Sequence, residues 1–163
     1  MRVLGVDPGS RATGWALVVA EGNRTRLERA GVVRPKGSDH ALRLADLQRS
    51  FAALVGELAP DCAAVESSFS GRNPRSGLTL AESRGVLLAA LGRAGVPVHP
   101  YSPAQVKSAM VGYGTADKQQ VAFMVVRLLG LDGPPPSDAA DAAGIALTHI
   151  HGCAATRILN RRR

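Results

Sequence analysis

Three strand-like segments joined by connections too short for a crossover open this chain, and they constrain its fold more than any other feature. Residues 2–7, 13–20 and 25–33 carry the apolar runs, with Pro8-Gly9-Ser10 as the first turn. Strands joined this tightly pair antiparallel. The pattern then changes. Leu42, Leu44, Leu47, Phe51, Leu54, Val55 and Leu58 recur near the helical period behind a cap at Ser38 or Asp39. Residues 61–66 read as another buried strand, about 78–93 as a helix, and Val96 to Tyr101 as a fifth strand closed by Pro103. Helices are expected over 103–110 and 116–129, and a last one from near Asp138 to about His151. A meander followed by alternating helix and strand predicts an α/β fold, a five-stranded mixed sheet with helices on both faces.

A length of 163 residues suits one domain over 1–163, with a basic tail at about 157–163. With 45% apolar and 20% charged residues, the composition excludes disorder, collagen and a small disulfide scaffold. No apolar run reaches the roughly 18 residues of a membrane span. No signal-peptide pattern opens the chain, so a cytoplasmic protein with no membrane partner is expected. Net charge is +7, and of 20 basic residues only Lys36, Lys107 and Lys118 are lysines. Arginine-rich, basic and soluble, the chain points first to nucleic acid. Cys62 and Cys153 match no zinc spacing and read as reduced core residues. His149 and His151, two apart on a helix, face away from each other, so an end-of-helix or surface role is expected. His40 and His99 have no sequence companions, and Trp15 and Tyr113 read as packing residues.

Acids are few on this chain, thirteen in all, so their placement is informative. Asp7 and Glu66 each end an apolar strand, and ligands of open α/β sheets bind outside the carboxyl ends of strands. Asp138 and Asp141 are three apart and share one helix face. Converging, these groups would suit a pair of hard divalent cations around a phosphodiester. Each acid also has a structural reading: Asp7 can start a turn, and Asp138 with Asp141 can cap a helix. Glu66 is harder to place structurally, since glutamate is costly in a buried strand without a partner.

Leu4-Gly5-Val6-Asp7-Pro8-Gly9-Ser10-Arg11-Ala12-Thr13-Gly14-Trp15 resembles the opening strand-turn-strand of the RuvC family of Holliday junction resolvases. Ala64-Val65-Glu66-Ser67-Ser68-Phe69 resembles its second acidic strand and aromatic loop. Gln105-Val106-Lys107 and Gly112-Tyr113-Gly114-Thr115-Ala116-Asp117-Lys118 are similar to its central basic segment, and Asp138-Ala139-Ala140-Asp141-Ala142 to its final acidic helix. The resemblance implies a ribonuclease H-like fold and a homodimer. It implies Mg²⁺- or Mn²⁺-dependent symmetric nicking of four-way DNA junctions, with two ions per active site. Branch-migration partners RuvA and RuvB are implied too. By carry-over, Asp7, Glu66, Asp138 and Asp141 are metal ligands and catalytic acids. Lys107 and Lys118 contact DNA near the scissile phosphate, with Lys107 also catalytic, and Phe69 inserts near the junction point. Arg72 and Arg75, beside that aromatic, are expected to hold phosphates while Phe69 stacks on a base. Three rival readings remain: a nuclease of the same fold acting on RNA, a metal-independent architectural DNA protein, and an actin-like ATPase. For the ATPase the chain is too short to hold two lobes.

Overall fold

The computed structural model describes residues 1–22, 24–67 and 74–160, the last six as helix backbone only. Its strands are β1 (Arg2–Asp7), β2 (Thr13–Glu21), β3 (Arg24–Val33), β4 (Cys62–Glu66) and β5 (Val98–Tyr101). Its helices are α1 (His40–Leu58), α2 (Pro74–Arg93), α3 (Pro103–Val111), α4 (Lys118–Leu129) and α5 (Ser137–Asn160). The sheet runs β3-β2-β1-β4-β5. The first three strands form the antiparallel meander, and β1–β4 and β4–β5 pair in parallel. This is the expected mixed sheet.

Alternation along the central strands sends side chains to two cores. Leu4, Val6, Trp15, Leu17, Ala63 and Val65 pack on α1 and α2, where Phe51 and Leu87 are fully buried. Val3, Ala16, Val18, Cys62 and Ala64 face α3, α4 and α5. Helices therefore cover both faces. Trp15 is buried as expected, whereas Tyr113 is 46% exposed, and its hydroxyl accepts a bond from Gln120 Nε2 at 2.9 Å.

The α5 helix lies unusually close to the sheet, because two strand glycines make room. A Cβ on Gly5 would stand 1.9 Å from the Ala142 carbonyl oxygen, and one on Gly14 would stand 2.0 Å from that of Asp138. The helix answers with small residues: Ala139, Ala142, Ala143 and Ala146 are all buried. Boundaries differ from the sequence reading at three helix ends. The second helix starts at Pro74, and the last, which begins near Asp138 as expected, continues to Asn160. α4 starts at Lys118 because Asp117 caps it, its side chain accepting from the Gln120 N–H while Gln120 reaches back to the Asp117 N–H.

Candidate active site

Asp7 follows Val3 and Gly5 on the α5 side of β1, and Glu66 follows Cys62 and Ala64 on the same side of β4. The parallel register, with Val6 opposite Val65, brings these two carboxylates to neighbouring strand ends. Local bonds hold both ends. The Thr13 hydroxyl donates to the Gly9 carbonyl at 3.2 Å, closing the turn after Asp7. Ser67 N–H donates to the Tyr101 carbonyl at 2.9 Å, and Arg84 Nε to the Glu66 carbonyl at 3.0 Å.

The first turns of α5 cover this rim. Pro136 accepts from the Ala140 N–H at 2.9 Å, which sets Asp138 and Asp141 inside the helix instead of at its cap. Asp7, Glu66 and Asp141 line a cavity of about 320 Å³ with Lys107 and Lys118. Pro103, Val106, Val121 and Ile145 form its apolar wall. Asp138 lies close enough to act electrostatically on Asp7. All four acids are half-buried.

The electrostatics record a shortage of positive charge. Burial, then the negative charges of Glu66, Asp141 and Asp138, push the Asp7 carboxyl up to about 7, and Lys118 offsets this only in part. Lys118 Nζ stands 2.6 Å from Asp141 Oδ2 and is held above the usual lysine range by that bond. Its position follows from the α4 cap, since Lys118 is the first helical residue. Lys107 is aimed by α3, which Ser102 and Gln105 start with a second capping box. Four oxygen-donor acids with an unrelieved negative charge fit hard divalent cations, which take carboxylate ligands.

Of the other expected contacts, Arg75 lies on α2 in a depression of about 440 Å³ that it shares with Arg11, Arg43, Ser10, Ser76 and Thr79. Sequence reasoning did not single out Arg11 or Arg43, because nothing local marks one arginine among seventeen. Phe69 and Arg72 lie outside the described residues.

The cysteines are free, with Cys62 in the core as expected, but the histidine readings need correction. His99 does have companions: it stacks on His149 with ring centroids 4.3 Å apart. His149 is 5% exposed and packs inside the fold, not at its surface. Ligand atoms of Cys62, His99 and His149 lie within 4.8 Å of one another, a group able to hold a metal. Strand and helix lengths set this group apart from the acids. Cys62 is at the opposite end of β4 from Glu66, about 13 Å along the strand, and His149 is about 12 Å up α5 from Asp141.

Neighbouring parallel strands that deliver carboxylates to a helix bearing two more define a ribonuclease H-like, metal-dependent nuclease. The model of the family described as crossover junction endodeoxyribonuclease RuvC matches residues 3–149. The crossover junction endodeoxyribonuclease RuvC of Syntrophomonas wolfei is 46% identical over 153 residues, 93% of this chain and 89% of that protein. The solved structure of Thermus thermophilus RuvC superposes with a TM-score of 0.87 at 36% identity, covering 96% of this chain and 97% of that one. T. thermophilus RuvC in complex with Holliday junction substrate gives 0.85 at 34% identity, covering 94% and 96%. The chain belongs to the RuvC family of Holliday junction resolvases, metal-dependent endonucleases of DNA recombination and repair.

Proposed function

We propose that the chain works as a homodimer that nicks two like-polarity strands of a four-way DNA junction, with Asp7, Glu66, Asp138 and Asp141 as its catalytic acids. The observation that carries this reading is the gathering of four carboxylates at one rim of a basic protein, with Asp7 pushed up to about 7. Those side chains would hold Mg²⁺ or Mn²⁺, two ions per site. Bound there, divalent cations acidify water and neutralise charge on a phosphodiester.

The remaining work falls to the chain's own residues. Asp7, which burial and the charges of Glu66, Asp141 and Asp138 keep from ionising readily, would be held as a carboxylate by bound cations, so that cation binding and its ionisation are linked. Lys118 orients the Asp141 carboxylate through its ion pair. Lys107, on the cavity wall, presents positive charge where negative charge builds on the phosphate oxygens during attack. In-line attack at phosphorus then leaves a 5′-phosphate and a 3′-hydroxyl, ends that can be rejoined. Arg75, with Arg11 and Arg43, holds backbone phosphates, which positions DNA without reading its sequence. Phe69 stacks at the junction point beside Arg72. A twofold dimer matches a substrate with two equivalent strands, and RuvA and RuvB are the branch-migration partners of the reading.

The test uses labelled synthetic four-way junctions with a movable core, with linear duplex and RNA–DNA hybrid in parallel. Paired, ligatable nicks on the junction alone, dependent on Mg²⁺ or Mn²⁺ and absent in Asp7→Asn, are expected. Cleavage of the hybrid instead would replace the substrate, and tight metal-independent binding without cleavage would replace the enzyme by an architectural protein.

A further inference from the structure

Three metal-ligating side chains, with a second thiol beside them, meet at the end of the fold remote from the carboxylates. Cys62 opens β4, His99 sits in β5, and His149 and Cys153 lie one turn apart on α5. Both thiols converge on one ring nitrogen: His149 Nε2 is 3.4 Å from Cys62 Sγ and 3.5 Å from Cys153 Sγ. The stacked ring of His99 brings a further nitrogen within 4.8 Å of the Cys62 and His149 ligand atoms. On the far side of His149, the Tyr101 hydroxyl lies 2.8 Å from Nδ1.

The mutual closeness of the Cys62, His99 and His149 ligand atoms suits donors that share one ion, and Cys153 Sγ, 3.5 Å from His149 Nε2, is the neighbouring thiol that would swing in as the fourth. With zinc–sulfur bonds of about 2.3 Å and zinc–nitrogen bonds of about 2.0 Å, sulfur and nitrogen donors stand about 3.5 Å apart. An S–H···N hydrogen bond has a similar length, but a single ring nitrogen has one lone pair to offer and here meets two thiols. The donors are soft sulfur and borderline imidazole, which select zinc-like ions and are poor ligands for Mg²⁺. Tyr101 completes the arrangement, since a ligating histidine usually donates its other ring N–H to an oxygen.

We propose that Cys62, His99, His149 and Cys153 form a structural site for one Zn²⁺-class ion, distinct from the catalytic acids, that ties α5 to β4 and β5. Burial and the neighbouring His99 hold His149 below the usual histidine range, so the ring is neutral and ready to ligate near pH 7. Burial pushes the Cys62 thiol up, so ion binding must displace that proton. The ion fixes the part of α5 that lies beyond Asp138 and Asp141, so those acids inherit a more rigid helix without contacting it.

Titration of the reduced, full-length protein with Co²⁺ as a spectroscopic stand-in tests this directly. We expect saturation at one equivalent, with the visible absorption and sulfur charge-transfer band of a tetrahedral thiolate site, displaced by Zn²⁺ and not by excess Mg²⁺. Cys62→Ser and Cys153→Ser, with folding checked by circular dichroism, should each lose the charge-transfer intensity in part. Tyr101→Phe should weaken Zn²⁺ binding by roughly 10- to 100-fold. Asp7→Asn should leave the spectrum intact whatever happens to DNA cleavage, which separates this site from the nuclease reading. An octahedral, thiolate-free spectrum would overturn the proposal, as would a spectrum unchanged in both cysteine variants. Should a serine variant unfold, alkylation of the wild-type thiols decides instead: Zn²⁺ should protect both, and equal labelling with and without it would overturn the site.

Discussion

Replacing Asp7 by asparagine should stabilise the metal-free protein at neutral pH, and the size of the gain follows from the site. Asp7 has an ordinary value of 3.8 when unfolded and about 7 when folded. Between these values the unfolded chain has released a proton that the folded chain retains. Wild-type stability therefore falls as pH rises from about 4 to about 7 and is flat above. At about 1.36 kcal/mol per pH unit the full loss is about 4 kcal/mol. The half-exposed rim screens part of it, leaving about 2–3 kcal/mol, or roughly 5–10 °C in Tm for a domain of this size. Asparagine cannot ionise, so the variant escapes the loss. The assay is urea unfolding of both proteins in chelator, from pH 5 to pH 8. His149 and His151, both held below the usual histidine range by burial, titrate alike in the two proteins and cancel in the difference. The variant's advantage should be largest at pH 8 and shrink steadily toward pH 5. Adding Mg²⁺ should reverse the order, because cations relieve the repulsion only where the carboxylate is present. A variant less stable than wild type at pH 8 in chelator would refute the reasoning and give Asp7 a structural job.

Other expectations follow from the same geometry. Gly14→Ala, whose Cβ would meet the Asp138 carbonyl oxygen at 2.0 Å, should push the start of α5 outward and cut the nicking rate more than it lowers Tm. Phe51→Ala, at a fully buried position of the α1 core, should cost about 3–5 kcal/mol in urea unfolding. Lys107→Ala should lower both junction affinity, read by gel shift, and single-turnover rate, whereas a normal rate would remove it from the site. Lys118→Ala should change stability by less than about 1 kcal/mol, since the lysine itself is largely exposed, yet slow cleavage measurably.

The sheet was legible because its cues are local. Short connections dictated the meander, and the period of α1 named its buried residues Leu47, Phe51, Val55 and Leu58, although Leu42, at the start of the same series, is exposed. The acid cluster was legible for a related reason: strand ends and an i, i+3 helix pair can be placed without knowing tertiary contacts. Other features needed the fold itself. His149 lies 87 positions from Cys62, and no spacing rule reaches across a sheet and a helix to join them. The tight seat of α5 is equally silent, since Gly5 and Gly14 read as strand glycines until a helix is laid over them. The start of α4 at Lys118 was visible in principle, in the Asp117-x-x-Gln120 capping pattern.

The order in which the acids occur along the chain governs when an active molecule first exists. Asp7 and Glu66 are synthesised early, on strands that pair with each other. Asp138 and Asp141 arrive with α5, after the five strands among the described residues. Until that helix docks, the glycine-lined face of β1 and β2 is uncovered and the rim carries only half of its carboxylates. On the proposed reading, a nascent chain that stops short of α5 lacks two of the four acids that would gather cations. The order of synthesis itself, on that reading, withholds DNA cutting until α5 has emerged and docked.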